Sequence, residues 1–237
     1  MWNQHVDRAL SEFGLTRLTA DFCVYTIWQG NERVILGLFV DDMFLIGKLM
    51  DFIQLVKDFL HSRYKMKDLG AATFLLGMEI RRPPGGDVKL VQEKYLGEIL
   101  ERYPVDNLRA TSTPLLPGSK LNLKDSPQSE GEAQQMFKIP YRSAIGSLMY
   151  LAVCTRPDIS AAISSLSRFN SRPGMAHWEG VQHILRYLKG TSGEGIIYKK
   201  GVSTALWGYC DSSHLTCPDT ARSRAAFVML LAGGAVS

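Results

Sequence analysis

The residues best suited to chemistry are two consecutive carboxylates, Asp41 and Asp42, set between the apolar runs 34–40 and 43–46. Adjacent side chains on a strand point to opposite faces, so both can reach one point only at a bend. Two carboxylates about 6 Å apart repel by roughly 3 kcal/mol at an effective dielectric of 20. Apolar flanks make relief by solvent poor, so such a pair must share a proton, face water or hold a cation. A divalent ion removes the repulsion directly, and Mg²⁺ suits oxygen ligands combined with substrate phosphates. In two-metal phosphoryl transfer such ions activate the attacking oxygen and stabilise the leaving one. A plain polar turn, where aspartate is common, fits the same residues.

Basic charge is unevenly spread. Residues 1–80 carry 8 Lys/Arg against 10 Asp/Glu, net −2, whereas residues 141–200 carry 8 against 3, net +5. An excess confined to one segment suits a surface that faces phosphates, and it also suits a solvated helical face. Lys94, Arg186 and Lys189 are the candidate phosphate contacts. His177 and His183 stand six residues apart, about 600° around a helix, so they leave on different faces and do not suit a shared metal. The glycine-rich run 190–195 lacks the Lys-Ser/Thr of a phosphate loop and reads as a flexible connection. Cys23, Cys154, Cys210 and Cys217 form no C-x-x-C pair. Reduced thiols in the cytoplasm or nucleus fit better than a zinc site or a disulfide framework.

These residues need elements to position them. With 237 residues, 46% apolar and 21% charged, the chain has the composition of one large globular domain or two small ones. No apolar run approaches the roughly 20 residues of a membrane span, and the start lacks the pattern of a secretory signal. The spacing predicts a helix over 2–13, a strand over 23–28, and a hairpin of 34–40 with 43–46 that has both aspartates at its bend. The run 34–40 reads as a strand buried on both faces. A helix follows with Phe52, Leu55, Val56, Phe59 and Leu60 on one face. Strands are expected at 73–81 and 88–91, a helix around 95–103, and a long loop or linker over 104–140. Three helices should come next, at 141–153, from 155 onward, and at 176–189. Thr155 is read as the cap of the second and Asp158 as the partner in its capping box. That helix should bury Ile159, Ala162, Ile163, Leu166 and Phe169; the third should bury Val181, Ile184, Leu185 and Leu188. Strands return at 195–199, 204–211 and 225–231, and another begins after Gly234.

Phe39-Val40-Asp41-Asp42-Met43 resembles the Tyr-Val-Asp-Asp-Met motif of reverse transcriptases from copia-type LTR retrotransposons. Further matches follow in the family's order. They include Trp2-Asn3, Asp21-Phe22-Cys23-Val24-Tyr25, Met66-Lys67-Asp68-Leu69-Gly70 and Phe74-Leu75-Leu76-Gly77-Met78-Glu79-Ile80. Gln92-Glu93-Lys94-Tyr95, Thr155-Arg156-Pro157-Asp158, Arg186-Tyr187-Leu188-Lys189-Gly190-Thr191 and Gly208-Tyr209-Cys210-Asp211 continue the series. The resemblance implies an α+β fold. Residues 1–86 would be the C-terminal part of a palm with the catalytic β-hairpin, and 87–125 the primer grip and thumb entry. Residues 126–140 would be a linker, 141–193 a helical thumb and connection, and 194–237 the truncated start of an RNase H-like mixed sheet. The implied activity is RNA- and DNA-templated DNA synthesis from deoxynucleotides. Asp41 would bind catalytic Mg²⁺ with Asp42 assisting, Lys94, Arg186 and Lys189 would hold the template–primer, and Asp211 would be the first metal-binding carboxylate of the RNase H site.

The family also uses a third polymerase aspartate from a strand well before Trp2, and later acidic residues in its RNase H site. Asp219 reads as a turn residue rather than one of these. His214 stands where the family has tryptophan, and Arg224-Ala225-Ala226-Phe227 replaces a Thr-Ser-Gly-Tyr-like run. The expectation is therefore a fragment inactive by itself. Two alternatives stay open: a non-catalytic nucleic-acid-binding module, and a decayed transposon relic. A strand 34–40 deprived of palm neighbours would leave an open edge, so self-association through that edge is expected.

Overall fold

A computed structural model describes residues 2–105, 109–116, 118–119, 121–215 and 217–237. The fold is α+β, and the chain divides into two compact units, residues 1–72 and 73–237.

The first unit contains α1 (Trp2–Phe13), β1 (Thr16–Arg17), β2 (Val24–Gln29), β3 (Glu32–Phe39), β4 (Asp42–Ile46) and α2 (Met50–Arg63). Its strands form one antiparallel sheet in the order β1-β2-β3-β4. The core joins Val6 and Leu10 of α1 to Tyr25, Leu36 and Leu38 of the sheet and to Val56 and Leu60 of α2. On β3, Val34, Leu36 and Leu38 are buried while the residues between them are not. That period of two marks a sheet covered on one face, which corrects the expectation of a strand buried on both. Nor does β3 lack neighbours: β2 and β4 pair with its two edges, and the outer strand on this side is β4. The buried stripe of α2 is Ile53, Val56 and Leu60, so the face is rotated from the predicted one and Leu55 is exposed.

The second unit opens with β5 (Phe74–Leu75), β6 (Met78–Arg81) and β7 (Val88–Val91). These form an antiparallel sheet with β8 (Ile196–Tyr198) in the order β5-β6-β7-β8. The single strand expected at 73–81 is in fact a tight hairpin. Leu76 (φ 47°) and Gly77 (φ 74°) both sit in the left-handed region between the paired Leu75 and Met78. A two-residue hairpin turn with both φ values positive favours glycine, which accounts for Gly77.

Helices α3 (Glu93–Arg102), α4 (Glu130–Phe137), α5 (Tyr141–Cys154), α6 (Ser160–Ser167) and α7 (Met175–Gly190) follow, with 3-10 turns at Leu123–Asp125 and Pro157–Ile159. Their core gathers Leu96 and Ile99 of α3, Ile145 and Leu148 of α5, Leu166 of α6 and Ile184 of α7, among others. The apolar faces predicted for the last two helices are buried as expected. The supposed loop at 104–140 contains α4 and a 3-10 turn. Ser129 Oγ accepts from the Glu132 N–H, and Glu132 Oε2 accepts from the Gln128 N–H at 2.7 Å, so local capping starts a helix despite the polar composition. Positions 106–108, 117 and 120 of that stretch lie outside the described residues. The chain closes with β9 (Trp207–Ser213), β10 (Arg224–Leu231) and β11 (Gly234–Ala235) in the order β11-β10-β9. Every described pair in this last sheet is antiparallel, so it is not the mixed sheet expected.

Candidate functional site

The two-residue turn Val40-Asp41 joins β3 to β4, and Phe39 pairs with Asp42 across its base. Asp41 therefore lies in the bend while Asp42 is the first residue of the returning strand. Val40 has φ 53°, a left-handed conformation that a β-branched residue adopts at a cost of about 1–3 kcal/mol. Trp2 holds this backbone in place: its indole Nε1–H donates to the Val40 carbonyl at 2.8 Å. The same ring meets Tyr64 edge to face at 5.4 Å. The resemblance gave Trp2 no such task, and only the folded chain shows it clamping the turn.

Asp41 and Asp42 are both exposed, which corrects the expectation that apolar flanks would keep solvent away. Among the described residues no ion pair engages either carboxylate. Two free carboxylates supply hard oxygen donors of the type a divalent cation takes, but fewer than its full ligand set. Among the described residues, no three His, Cys, Asp or Glu side chains gather where they could hold a metal ion.

The remaining candidates occupy the second unit. Asp211 is exposed on β9 opposite Ala226, and its Oδ1 accepts from the Ser212 N–H at 2.8 Å. Lys94 is exposed in the first turn of α3, and its backbone N–H donates to Glu79 Oε1 at 3.0 Å. Arg186 and Lys189 share the last turns of α7, where Arg186 Nε donates to the Arg109 carbonyl at 2.6 Å. Much of the basic excess of 141–200 is engaged within the fold. Arg142 donates to the Asn170 carbonyl at 2.5 Å and Arg172 to the Pro127 carbonyl at 2.6 Å. Arg168 lies 3.7 Å from the Asp219 carboxylate, whose other oxygen accepts from the Leu123 N–H. Asp219 is thus a tie between distant segments rather than a simple turn residue.

Three motifs that are far apart in sequence converge on one polar network. Arg156, nearly inaccessible, makes a two-pronged ion pair with Asp158, with Nε–Oδ1 at 3.0 Å and NH2–Oδ2 at 2.7 Å. It also donates to the Thr191 carbonyl at 2.9 Å and to Thr191 Oγ1 at 2.7 Å. Tyr187 donates to Asp158 Oδ2 at 2.8 Å, and the Arg156 guanidinium lies over its ring. Burial works to raise the Asp158 pKa, but the Arg156 bonds outweigh it and hold the group below the usual carboxylate range. Burial and the adjacent Asp158 raise the Tyr187 phenol. Thr155 does not cap the following helix; its hydroxyl donates to Gln92 Oε1 at 2.8 Å instead. The donors and acceptors of 155–158 bond instead to Gln92, just before α3, and to Tyr187 and Thr191 at the end of α7.

The two histidines are each bonded locally. His177 Nδ1 accepts from the Gly174 N–H at 2.8 Å, its Nε2 meets the Asn122 carbonyl at 3.2 Å, and its ring stacks on Phe169 at 3.8 Å. Burial lowers its pKa. Gly174 is required beside it, because a Cβ there would meet the Asp125 carbonyl oxygen at 1.8 Å. His183 Nε2 contacts the Thr113 carbonyl at 2.9 Å.

The family model described as "Reverse transcriptase (RNA-dependent DNA polymerase)" matches residues 1–117. The retrovirus-related Pol polyprotein from transposon TNT 1-94 of Nicotiana tabacum is 40% identical over 238 residues, covering 100% of this chain and 18% of that protein. A putative transposon Ty5-1 protein of Saccharomyces cerevisiae is 31% identical over 237 residues, covering 100% of the chain and 75% of its own length. An uncharacterized mitochondrial protein of Arabidopsis thaliana is 33% identical over 200 residues, covering 84% of the chain and 80% of its own length. The chain thus spans less than a fifth of the tobacco Pol polyprotein. No solved structure matches the chain. Similarity along the full chain to transposon proteins, one of them matched over most of its own length, shows that the chain belongs to the reverse transcriptase family of copia-type retrotransposon Pol polyproteins.

Proposed function

We propose that this chain is a polymerase segment whose Asp41 and Asp42 supply two carboxylates to a two-metal nucleotidyl-transfer site. The observation that carries the reading is the clamped turn: two exposed carboxylates without ion-pair partners, on backbone held in a costly conformation by Val40 and Trp2. Strain of this kind persists where the surrounding structure enforces it, and it clusters at functional turns. The chemistry a bound Mg²⁺ pair supplies is activation of a primer 3′-hydroxyl and charge neutralisation at the leaving phosphate. Asp41 and Asp42 provide oxygen ligands, and the Trp2 hydrogen bond fixes the direction in which the turn presents them.

The template–primer and deoxynucleotides are the proposed partners, with Lys94, Arg186 and Lys189 on the phosphate backbone. Residues 1–86 are assigned to a palm, 87–125 to the primer grip and thumb entry and 126–140 to a connecting segment. Residues 141–193 are assigned to a helical thumb and connection, and 194–237 to an RNase H-like start in which Asp211 is the first carboxylate. The proposed setting is cytoplasmic or nuclear. Among the described residues no helix is long and apolar enough to cross a membrane.

Because no third acidic ligand stands with the pair among the described residues, polymerisation requires one from outside them. Primer extension on an RNA template with Mg²⁺ tests the need for a further ligand, with the 237-residue chain expected to give no product; product, if formed, also tests the pair. Extension that disappears in Asp41→Asn would support the assignment of the pair and refute the need for a further ligand. Extension that survives in Asp41→Asn would refute the assignment itself. The alternative of a non-catalytic binding module loses the charge of Arg156 and Arg168, which Asp158 and Asp219 offset, but keeps that of Arg142, Arg172 and Arg186, which bond to neutral carbonyls.

A further inference from the structure

The last sheet ends on β9, and among the described residues no strand pairs with the outer edge of β9. All seven residues of β9 are exposed. Its pairing with β10 runs unbroken from Trp207 to Ser213, so no bulge twists the edge away, and the strand contains neither lysine nor proline. Those are the devices that usually keep such an edge from recruiting another strand. The direction of its backbone groups follows from the far side of the sheet. The Met229 N–H donates to the Ser237 carbonyl, and the Met229 carbonyl accepts from the Val236 N–H, so Met229 turns toward β11. Its neighbours Val228 and Leu230 therefore turn toward β9, where they face Tyr209 and Trp207. Gly208, Cys210 and Ser212 then direct their N–H and C=O groups outward. The Ser212 N–H already donates to Asp211 Oδ1 at 2.8 Å. Trp207 and Tyr209 share one face of the sheet, meet edge to face at 5.2 Å, and are 47% and 63% exposed.

We infer that β9 pairs with β9 of a second copy of this chain, antiparallel about a two-fold axis at Cys210. This centre sets Cys210 against Cys210, Gly208 against Ser212, Tyr209 against Asp211 and Trp207 against Ser213, so the whole strand is paired. A centre at Asp211 would oppose two carboxylates, and a centre at Tyr209 would leave Ser212 and Ser213 unpaired. In the Cys210 register Asp211 meets Tyr209, and no like charges abut. The outward N–H and C=O groups of Gly208, Cys210 and Ser212 face one another as hydrogen-bonded pairs. Bonds that use the Ser212 N–H require it to leave Asp211 Oδ1. The two Tyr209 rings become diagonal neighbours, roughly 7–8 Å apart and within reach of aromatic side chains, which extends each Trp207–Tyr209 pair into a row of four rings. A seven-residue edge with two rings per copy falls below the roughly 1,200 Å² of a standard interface, so the dimer is weak, with a Kd on the order of 100 µM. No residue of the first unit takes part, so the inference is independent of the Asp41–Asp42 assignment.

The test uses the full 237-residue chain under reducing conditions, so that no disulfide contributes. Sedimentation equilibrium from about 10 to about 500 µM is expected to show a monomer–dimer equilibrium. Cys210→Lys sets two ammonium groups against each other across the axis, on a side chain that is exposed in the monomer, and is expected to weaken the dimer roughly tenfold or more. Cys23→Lys, at another exposed cysteine in the first unit, is expected to leave association unchanged. A second readout needs no variant. In hydrogen exchange, the Gly208 and Cys210 amides should gain protection as concentration rises, whereas the Trp207 and Tyr209 amides, turned to β10, should be protected at every concentration. Three results would each overturn the inference: a monomer at the highest concentration, association of Cys210→Lys equal to wild type, or exchange at Gly208 and Cys210 that does not depend on concentration. Protection that rises at the β4 amides in place of Gly208 and Cys210 would overturn it as well, by assigning the contact to the other open edge.

Discussion

Two sets of carboxylates in this molecule differ in what surrounds them. In the first unit, Asp41 and Asp42 stand exposed on a strained turn, with no ion-pair partner among the described residues. In the second, Asp158 is gripped by both prongs of Arg156 and by the Tyr187 hydroxyl, and Asp219 ties Arg168 to the 3-10 turn at Leu123. The matched carboxylates are fasteners. The unmatched ones keep their charge available, at a cost carried by Val40. The contrast shows that a carboxylate's presence alone does not identify chemistry; the local balance of partners does.

The largest expected effect breaks the fastener. Arg156→Ala leaves Asp158, Thr191 and Tyr187 without their shared partner and should destabilise the second unit by about 3 kcal/mol, read by denaturant unfolding with circular dichroism. If stability is unchanged, the network is not what joins α7 to the 155–158 turn.

Acid should weaken the second unit next. His177 is held neutral by burial, so its folded pKa lies below its unfolded value of about 6.5. Its contribution is therefore present above about pH 6.5 and is lost as pH falls through the folded pKa. Asp158 behaves the same way at lower pH, because its folded pKa is also depressed. The unfolding midpoint should begin to fall below about pH 6.5, with a slope under about 1.4 kcal/mol per pH unit from His177. His177→Gln should flatten that first slope while leaving the later acid limb in place.

At the turn the expected signs are reversed. Val40→Gly removes the left-handed strain but adds backbone freedom to the unfolded chain, for a net stabilisation of about 1 kcal/mol in the first unit. Thermal unfolding followed at the backbone amides of β3 and β4 by NMR would detect it, and destabilisation would show that Val40 is not strained. Smallest of all, Asp41→Asn should change stability by less than about 0.5 kcal/mol, as for an exposed residue with no structural partner.

The legible parts of this molecule were the ones set by local periodicity. The stripes Ile159-Ala162-Ile163-Leu166 and Val181-Ile184-Leu185-Leu188 repeat at helical spacing and are buried in the positions expected. The Asp41–Asp42 hairpin was visible as two apolar runs around a polar bend. What was not legible depended on partners distant in sequence. The Thr155 hydroxyl turned to Gln92, 63 residues away, rather than to its own helix. The Trp2 indole found the Val40 carbonyl across 38 residues. The stretch at 104–140 looked like a loop because its composition is polar, yet Ser129 and Glu132 carry the spacing of a capping box that would have marked α4. The apolar run 34–40 suggested burial on both faces, although alternation is set by which face of the sheet the helices cover.

The most direct test is paramagnetic line broadening by Mn²⁺, a stand-in for Mg²⁺ at oxygen ligands, observed on the backbone amides of the intact chain. Broadening centred on Val40, Asp41 and Asp42 in the wild type, and lost in Asp41→Asn with the fold unchanged, is the expected result. Uniform broadening over other acidic surfaces, with the turn unaffected or the Asn variant indistinguishable, would contradict a cation site at this hairpin.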